Sequence, residues 1–271
     1  MDINPELNTW LNLLLRWVHI FAAIMWVGTT YYFTWLDAQL HKEEAHGGHD
    51  KAQIWMVHSG GFYVVEKESR PSTRPLHWFR WEAGTTWISG FLLLTLMVYL
   101  GGGSGMVDPD VMDISGRTAI LIGVGTIVLG WFIYDLLVQS PLGKNEVLFA
   151  VVAYAIVVGA IYTLTHLLSG RWAYLHIGAT FGTIMAANVW MRILPAQRKM
   201  IAATKEGREP DERLAARAKL RSKQNTFIVV PTVFIMISNH YDATYGSKYN
   251  WIILSVIILL GWGAAKFIRR A

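Results

Sequence analysis

The sequence contains no cysteine, and only 16% of its 271 residues are charged. The absence of cysteine excludes disulfides, thiolate-ligated iron–sulfur clusters, cysteine nucleophiles and covalent attachment of haem through a cysteine pair. The low charge, together with 53% hydrophobic residues and a positive mean hydropathy, excludes an ordinary soluble domain and a disordered chain. The composition therefore predicts a membrane protein, in which any metal is bound by histidine, methionine or oxygen ligands.

Long apolar runs recur along the chain and define its architecture. A helix needs about 20 mostly apolar residues to cross the hydrocarbon of a membrane. Seven stretches meet or approach this requirement: 13–36, 78–101, 118–138, 146–168, 172–194, 226–241 and 250–268. The sequence therefore predicts an all-α integral membrane protein, in which residues 1–271 form a single transmembrane domain with seven helices in one bundle.

The basic residues predict how this bundle is oriented. If the spans alternate in direction, nineteen of the 24 Lys and Arg fall on one side, in 37–80, 139–145, 197–225 and the C-terminal tail. The opposite side has only Arg117, Arg171 and Lys248. The positive-inside rule then places the N-terminus outside and the C-terminus inside. Because the basic residues explain the topology in this way, we expect membrane lipid and no nucleic acid as a partner.

Two inner-side loops are longer than a turn. The loop 37–77 contains the apolar sequence IWMVHSGGFYVV between charged flanks, which predicts a segment that lies on the inner surface or folds back into the bundle. The loop 196–225 has Glu, Lys and Arg at helical spacing, which is typical of a solvated amphipathic helix.

Histidine is the best ligand for haem iron or copper that a span without cysteine offers. At about 1.5 Å of rise per residue, four histidines on four spans fall in one outer layer. They are His19, His166, His176 and His240. Arg16 precedes His19 by three residues, so a porphyrin ligated by His19 would bring a propionate near the Arg16 guanidinium, and Arg171 would serve similarly from the other side. We therefore expect non-covalent haem b, with His19 and His176 as the metal ligands.

Simpler interpretations of these residues stay open. A histidine near the interface can hydrogen-bond a carbonyl or water, which is the simpler explanation of His166 and His240. Small residues such as Ala22 and Ala23, which follow His19, leave room for a flat macrocycle but are also common wherever membrane helices pack.

A second group of chemically active residues lies at the inner face. It consists of His58, His77 and Arg80, close in sequence to several tryptophans. One interpretation is an interfacial belt in which the arginine extends toward water. The other is a catalytic pocket for an anionic planar ligand or a quinone headgroup, with Arg80 as anchor and His58 or His77 as proton carrier.

Several strings distributed along nearly the whole chain resemble one protein family. They are LRWVHIFAAIMWVGTTYYFTWLD, VHSGGFYVVEK, LHWFRWEAGTTWISG, NVWMRILPAQRK and RSKQNTFIVVPTVFIMISNHY. These strings resemble the membrane domain of the cytochrome-fused bacterial urate oxidases. The resemblance implies an inner-membrane domain that is typically followed by a further span and a periplasmic cytochrome c domain, in proteins that oxidise urate and pass electrons to the respiratory chain. The first span also resembles that of membrane protoporphyrinogen oxidases, which implies a haem-ligating role for His19.

The sequence departs from the plan of that family in one respect. It ends at Ala271 on the predicted inner side and has no cysteine, so we expect no attached c-type haem. We expect a haem b oxidoreductase or electron-transfer protein of the bacterial inner membrane, served by a separate cytochrome c. The alternative is a non-catalytic subunit or scaffold of a respiratory or photosynthetic complex.

Overall fold

The computed structural model describes residues 4–45, 52–68 and 75–269. Most of these residues are helical. In chain order the elements are α1 (Pro5–Ala45), β1 (Gln53–His58), β2 (Gly61–Glu66), α2 (Trp81–Leu94), α3 (Gly116–Gln139), α4 (Glu146–Thr165), α5 (Gly170–Ala187), α6 (Leu194–Lys205), α7 (Glu212–Ser238), α8 (Asp242–Tyr245) and α9 (Asn250–Ile268).

Two of the helices continue into π-helical turns. Helix α2 runs into Thr95–Tyr99, and α5 runs through Asn188–Ile193 into α6. A π-helical turn inserts an extra residue into a helix, changes which side chains face the interior, and is often found at functional sites. Both turns contribute residues to the sites described below.

Within the described residues, five helices are long and apolar enough, by length and composition, to cross a membrane. These candidate spans are Pro5–Ala45, Gly116–Gln139, Glu146–Thr165, Gly170–Lys205 and Asn250–Ile268. The last span has the predicted limits, and α3 and α4 agree with 118–138 and 146–168 to within three residues. Pro5–Ala45 and Gly170–Lys205 contain the predicted spans 13–36 and 172–194 and extend beyond them. The two remaining predicted spans, 78–101 and 226–241, correspond to α2 with its π-helical turn and to the apolar second half of α7. The chain is therefore a multi-pass membrane protein, and a count of seven spans stays a prediction.

Helix α5 lies at the centre of the bundle. Trp172, Tyr174, Ile177 and Phe181 on this helix are all buried in the main hydrophobic core. The Tyr174 hydroxyl donates a hydrogen bond of 2.6 Å to the carbonyl of Asn250, which links α5 to the start of α9. Helix α1 lies on the outside, mainly against α2.

A β-hairpin is the exception to the helical fold, and the sequence analysis did not predict it. Strands β1 and β2 pair antiparallel, with Trp55 opposite Val64 and Met56 opposite Tyr63. Ser59 and Gly60 form the turn with φ of 51° and 76°, as a two-residue hairpin turn with both central residues left-handed requires. The rest of the predicted loop 37–77 differs as well, because α1 continues to Ala45; residues 46–51 and 69–74 lie outside the described residues.

A charged contact attaches the hairpin to α1. The Lys67 ammonium donates a hydrogen bond of 2.8 Å to Asp37. This hydrogen bond to the carboxylate raises the pKa of Lys67. Because both side chains are about half exposed, we expect this pair to stabilise the contact by no more than about 1 kcal/mol.

The second predicted inner loop, 196–225, is helical. It comprises most of α6, a turn with Gly207 at φ 72°, and the first half of α7. The Asp211 side chain accepts a hydrogen bond from the backbone N–H of Arg213 and caps α7. The predicted amphipathic helix is thus the charged half of α7, and it continues directly into the predicted sixth span.

Candidate functional site

His19 of α1 has one ring nitrogen bound and the other free. Its Nδ1 lies 2.9 Å from the carbonyl oxygen of Thr86 and 3.1 Å from Oγ of Ser89, both on α2. A carbonyl can only accept, so Nδ1 carries the proton and Nε2 carries the lone pair. Within the described residues Nε2 has no hydrogen-bond partner. Histidines that ligate metals typically have their other nitrogen oriented in this way.

Close packing between α1 and α2 holds the His19 ring in place. A Cβ atom at Gly90 would lie 2.9 Å from Cε1 of the ring, so glycine is what allows the imidazole to lie against α2. The Ser89 hydroxyl donates a hydrogen bond of 2.6 Å to the Thr85 carbonyl. This bond fixes the Ser89 side chain beside Nδ1 of His19. The orientation of His19 is therefore determined by both helices.

Two arginines lie at one end of the bundle, which the sequence predicts to be the outer end. Arg16 donates from Nε to Asn12 at 2.6 Å, and Arg171 makes a long contact of 3.4 Å to Asn239, while its buried Nε has no partner. The two guanidinium groups are close enough for their charges to interact. No carboxylate among the described residues forms an ion pair with either of them. This arrangement favours an anionic ligand between them.

His176 of α5 is completely buried, and both of its ring nitrogens are bound. Nδ1 donates to the Trp172 carbonyl at 2.7 Å, and Nε2 lies 2.9 Å from the hydroxyl of Tyr99, which must then be the donor. A Cβ atom at Gly123 of α3 would lie 2.4 Å from Nε2. The ring is thus enclosed by α3 and the first π-helical turn, and a metal at Nε2 would have to replace the Tyr99 hydroxyl.

His166 and His240 are exposed at the ends of α4 and α7. Nδ1 of His166 lies 2.7 Å from the Tyr162 carbonyl, and its ring packs on the Tyr162 ring at a centroid distance of 4.1 Å. No hydrogen bond or ring contact joins any two of the four outer histidines in the described part of the chain. The same residues contain no group of three or more His, Asp or Glu placed to hold a metal ion.

The inner group is only partly assembled. The Arg80 guanidinium lies over the rings of Trp81 and Trp190, at 5.7 and 6.0 Å, and those rings meet edge to face at 5.5 Å. His77 is exposed and packs on Phe79. Nε of Arg80 is buried without a partner. His58 lies on the exposed end of β1, and no hydrogen bond or ring contact joins it to His77 or Arg80.

A buried ionic network at the second π-helical turn was not predicted. Asp135 of α3 forms ion pairs with Arg192 and with Arg221, whose Nη2 lies 2.6 Å from the carboxylate. The Arg221 side chain is only 5% exposed. One carboxylate therefore serves two guanidinium groups, so the network has one positive charge in excess. Asp135 is recognisable in the sequence as a polar residue in a span, but Arg221 falls in the segment 196–225, which was predicted to be a solvated amphipathic helix.

Neutral side chains complete this network. Asn188, the first residue of the π-helical turn, accepts from Arg221 at 3.2 Å and donates to Tyr134 and Asn225, both at 2.8 Å. Tyr134 in turn donates to Gln224 at 2.6 Å. Because each amide and hydroxyl is bound, the network fixes α3, α5 and α7 relative to one another.

The sequence model of one protein family, described as Urate oxidase N-terminal, matches residues 5–270. Neither a curated protein nor a solved structure matches the chain significantly.

Proposed function

The chain belongs to the urate oxidase N-terminal family, and from this premise we propose that it binds non-covalent haem b through His19 and acts in substrate oxidation or electron transfer in the bacterial inner membrane. The observation that carries this proposal is the state of the His19 ring. Its Nδ1–H is bound to the Thr86 carbonyl, and its Nε2 lone pair has no hydrogen-bond partner in the part of the chain that the structure describes. A neutral imidazole held in this way is ready to coordinate iron.

The residues around His19 suit an anionic macrocycle. Arg16 and Arg171 would bind the two propionates, because neither arginine has a carboxylate partner among the described residues. Haem b bound there would supply a one-electron redox centre. The protein would bind it, orient it through His19 and balance its charge through the arginines.

The second axial ligand decides which activity is favoured. Two histidine ligands leave no open iron position and favour electron transfer, whereas a single ligand leaves a position for substrate or oxygen. His176 is the candidate on a central helix, and it would have to exchange its hydrogen bond to Tyr99 for iron. His166 and His240 are exposed near the same end and would need to move inward.

Seven spans, with the N-terminus outside and the C-terminus inside, are part of the same proposal. Antiparallel contacts between α1 and α2 support a crossing by α2: Arg16 meets Met97, whereas His19, further along α1, meets Thr86. Contacts between Pro231 of α7 and Gly261 of α9 support a crossing by the second half of α7. With this topology the haem site lies toward the outside, where a separate cytochrome c would accept electrons.

The substrate site would lie at the inner group. Arg80 and the two tryptophans beside it offer a cation and aromatic surface to an anionic planar heterocycle such as urate. His77 would exchange protons with the substrate, and His58 would join it if the hairpin approaches α2.

The test is the absorbance of the purified full-length protein. We expect a b-type reduced-minus-oxidised spectrum and a pyridine haemochrome, both lost in His19→Ala and retained in His166→Ala and His240→Ala. Anaerobic addition of urate should reduce the haem. A folded, colourless wild-type protein from haem-sufficient cells would refute haem binding.

A second candidate is a non-catalytic subunit or scaffold of a respiratory or photosynthetic complex. The hairpin favours it, since Trp55 and Phe62 are 70% and 80% exposed and a large apolar surface of this kind usually meets a membrane or a partner. Co-purification of stoichiometric respiratory or photosynthetic subunits with a haem-free chain would support this candidate.

A further inference from the structure

A large cavity lies between helices α3, α4, α5, α7 and α9, away from the histidines described above. Its volume is about 920 Å³. Its walls are mainly apolar, with Leu129, Ile133, Val157 and Phe181 among the lining residues. This volume is at the upper end of the range for ligand pockets in proteins, which is about 300–1,000 Å³.

The cavity exists because α4 packs closely at one end only. Near the end of α4, Ile161 and Leu164 are buried in the main core. Near its start, Val147 and Val151 are 76% and 61% exposed, and both line the cavity. The first half of α4 therefore leaves an opening toward α7 and α9.

Charged residues surround this opening. Lys223 forms an ion pair with Glu146 at 2.7 Å, so their charges cancel. Lys266 and Arg269, on and just after the last turn of α9, also line the cavity. No carboxylate among the described residues pairs with either, although Arg269 donates to the Thr226 hydroxyl at 2.9 Å. The mouth thus has two positive charges in excess.

Few polar side chains line the interior. One is Trp262, whose buried Nε1 has no hydrogen-bond partner in the described part of the chain. The hydroxyls of Thr126 and Thr180 also line the interior, but they donate to the carbonyls of Ile122 and His176 in their own helices, at 2.8 and 2.7 Å. An occupant that matches this distribution has a long apolar part inside and an anionic group at the mouth.

We propose that this cavity binds an anionic phospholipid from the leaflet next to its mouth. An acyl chain would lie in the cavity, and Lys266 and Arg269 would bind the phosphate. Basic pockets between membrane helices bind anionic headgroups in this way. With the topology proposed above, the leaflet is the inner one. The site does not depend on haem, because its lining includes neither His19 nor His176.

Native mass spectrometry of the full-length protein in detergent tests the proposal, with phosphatidylglycerol and phosphatidylcholine of identical acyl chains as probes. We expect the wild type to retain at least tenfold more phosphatidylglycerol than phosphatidylcholine. The double variant Lys266→Gln/Arg269→Gln should lose this preference. The control Lys248→Gln removes an exposed cation at the far end of α9 and should keep it.

A second pair of variants tests the cavity itself. Gly263 lines the cavity and a Cβ there meets nothing within 4 Å, so Gly263→Leu should fold and reduce lipid retention severalfold. Gly159 has equally open surroundings outside the lining, so Gly159→Leu should leave retention unchanged.

Equal retention of the two lipids by the wild type, or full retention by Gly263→Leu, would overturn the proposal. So would displacement of the lipid by a neutral isoprenoid quinone that the charge variants do not affect. Because the readout is lipid mass, failure here is distinguishable from failure of the haem proposal, which is measured by absorbance.

Discussion

Hydrogen bonds to the imidazole nitrogens distinguish between histidines that the sequence predicts to lie in one layer of the membrane. His19 and His176 both donate from Nδ1 to a backbone carbonyl, so both present Nε2 as the acceptor. In His176 that acceptor is used by Tyr99, and in His19 it has no partner in the described chain. His19 is consequently the stronger candidate ligand, although depth in the membrane gave the two residues similar standing.

Tyr99→Phe tests how tightly His176 is held. The change leaves the buried Nε2 without a donor, and we expect it to lower the free energy of unfolding by about 1–3 kcal/mol. Thermal unfolding of the protein in detergent measures this loss. The control is Tyr162→Phe, because the Tyr162 side chain is exposed and its hydroxyl has no hydrogen-bond partner among the described residues. An unchanged melting temperature would mean that the pair contributes nothing.

Asp135 should be the most sensitive single residue of the ionic network. Asp135→Asn removes the one carboxylate that pairs with Arg192 and Arg221 among the described residues, and it leaves the Arg221 charge buried without compensation. Breaking a buried pair in this way costs about 3–5 kcal/mol, so we expect a large fall in thermal stability or in the yield of folded protein. Asp110→Asn changes an exposed carboxylate and should have no such effect. Equal stability of the two variants would contradict the role given to the network.

The sequence revealed single polar residues but not their partners. Asp135 and Asn188 are noticeable because polar groups in a span are costly. Arg221 was assigned to a solvated amphipathic helix, because nothing in a charged segment shows which of its arginines turns inward. The network depends on three helices and a π-helical turn, and such a turn has no sequence signature comparable to proline or a helix cap.

At the scale of elements, continuous apolar runs were predicted well and irregular segments were not. Helices α3, α4 and α9 agree with the predicted spans because hydrophobic length is a strong signal. The hairpin was missed although Trp55 to Val65 contains a Ser–Gly–Gly turn between two short apolar segments. A run of apolar residues this short is compatible with a surface helix or a strand, and strand pairing decided the outcome.

Two glycines of α3 test how this helix packs on α5. A Cβ at Gly123 would lie 2.4 Å from Nε2 of His176, so Gly123→Ala should separate the helices and destabilise the protein by about 1–3 kcal/mol. Gly125 has nothing within 4 Å, so Gly125→Ala should be neutral or stabilise by up to about 1 kcal/mol. Melting temperatures of the two variants give the comparison. A Gly123→Ala variant as stable as Gly125→Ala would show that the interface is looser than the structure indicates.

At the scale of the whole molecule, the two ends of the bundle differ in how many cations they carry and in which ligand is proposed to bind there. With the proposed topology, the outer end has few cations, and Arg16 and Arg171 among them lack carboxylate partners in the described structure. The opposite end has most of the Lys and Arg, including Lys266 and Arg269 at the lipid cavity. Because the same charges also set orientation under the positive-inside rule, topology and ligand sites are coupled.

The absence of cysteine makes the topology directly testable, because each introduced thiol is the only one in the chain. With seven spans, Asp110 lies outside and Ala215 inside. If the N-terminus stays outside and only the five long helices cross, Asp110 lies inside and Ala215 outside, because the chain would not cross at α2 or α7. In intact cells a membrane-impermeant maleimide should therefore label Asp110→Cys and not Ala215→Cys, and permeabilisation should expose the latter. Labelling of Ala215→Cys alone in intact cells would contradict seven spans with the N-terminus outside.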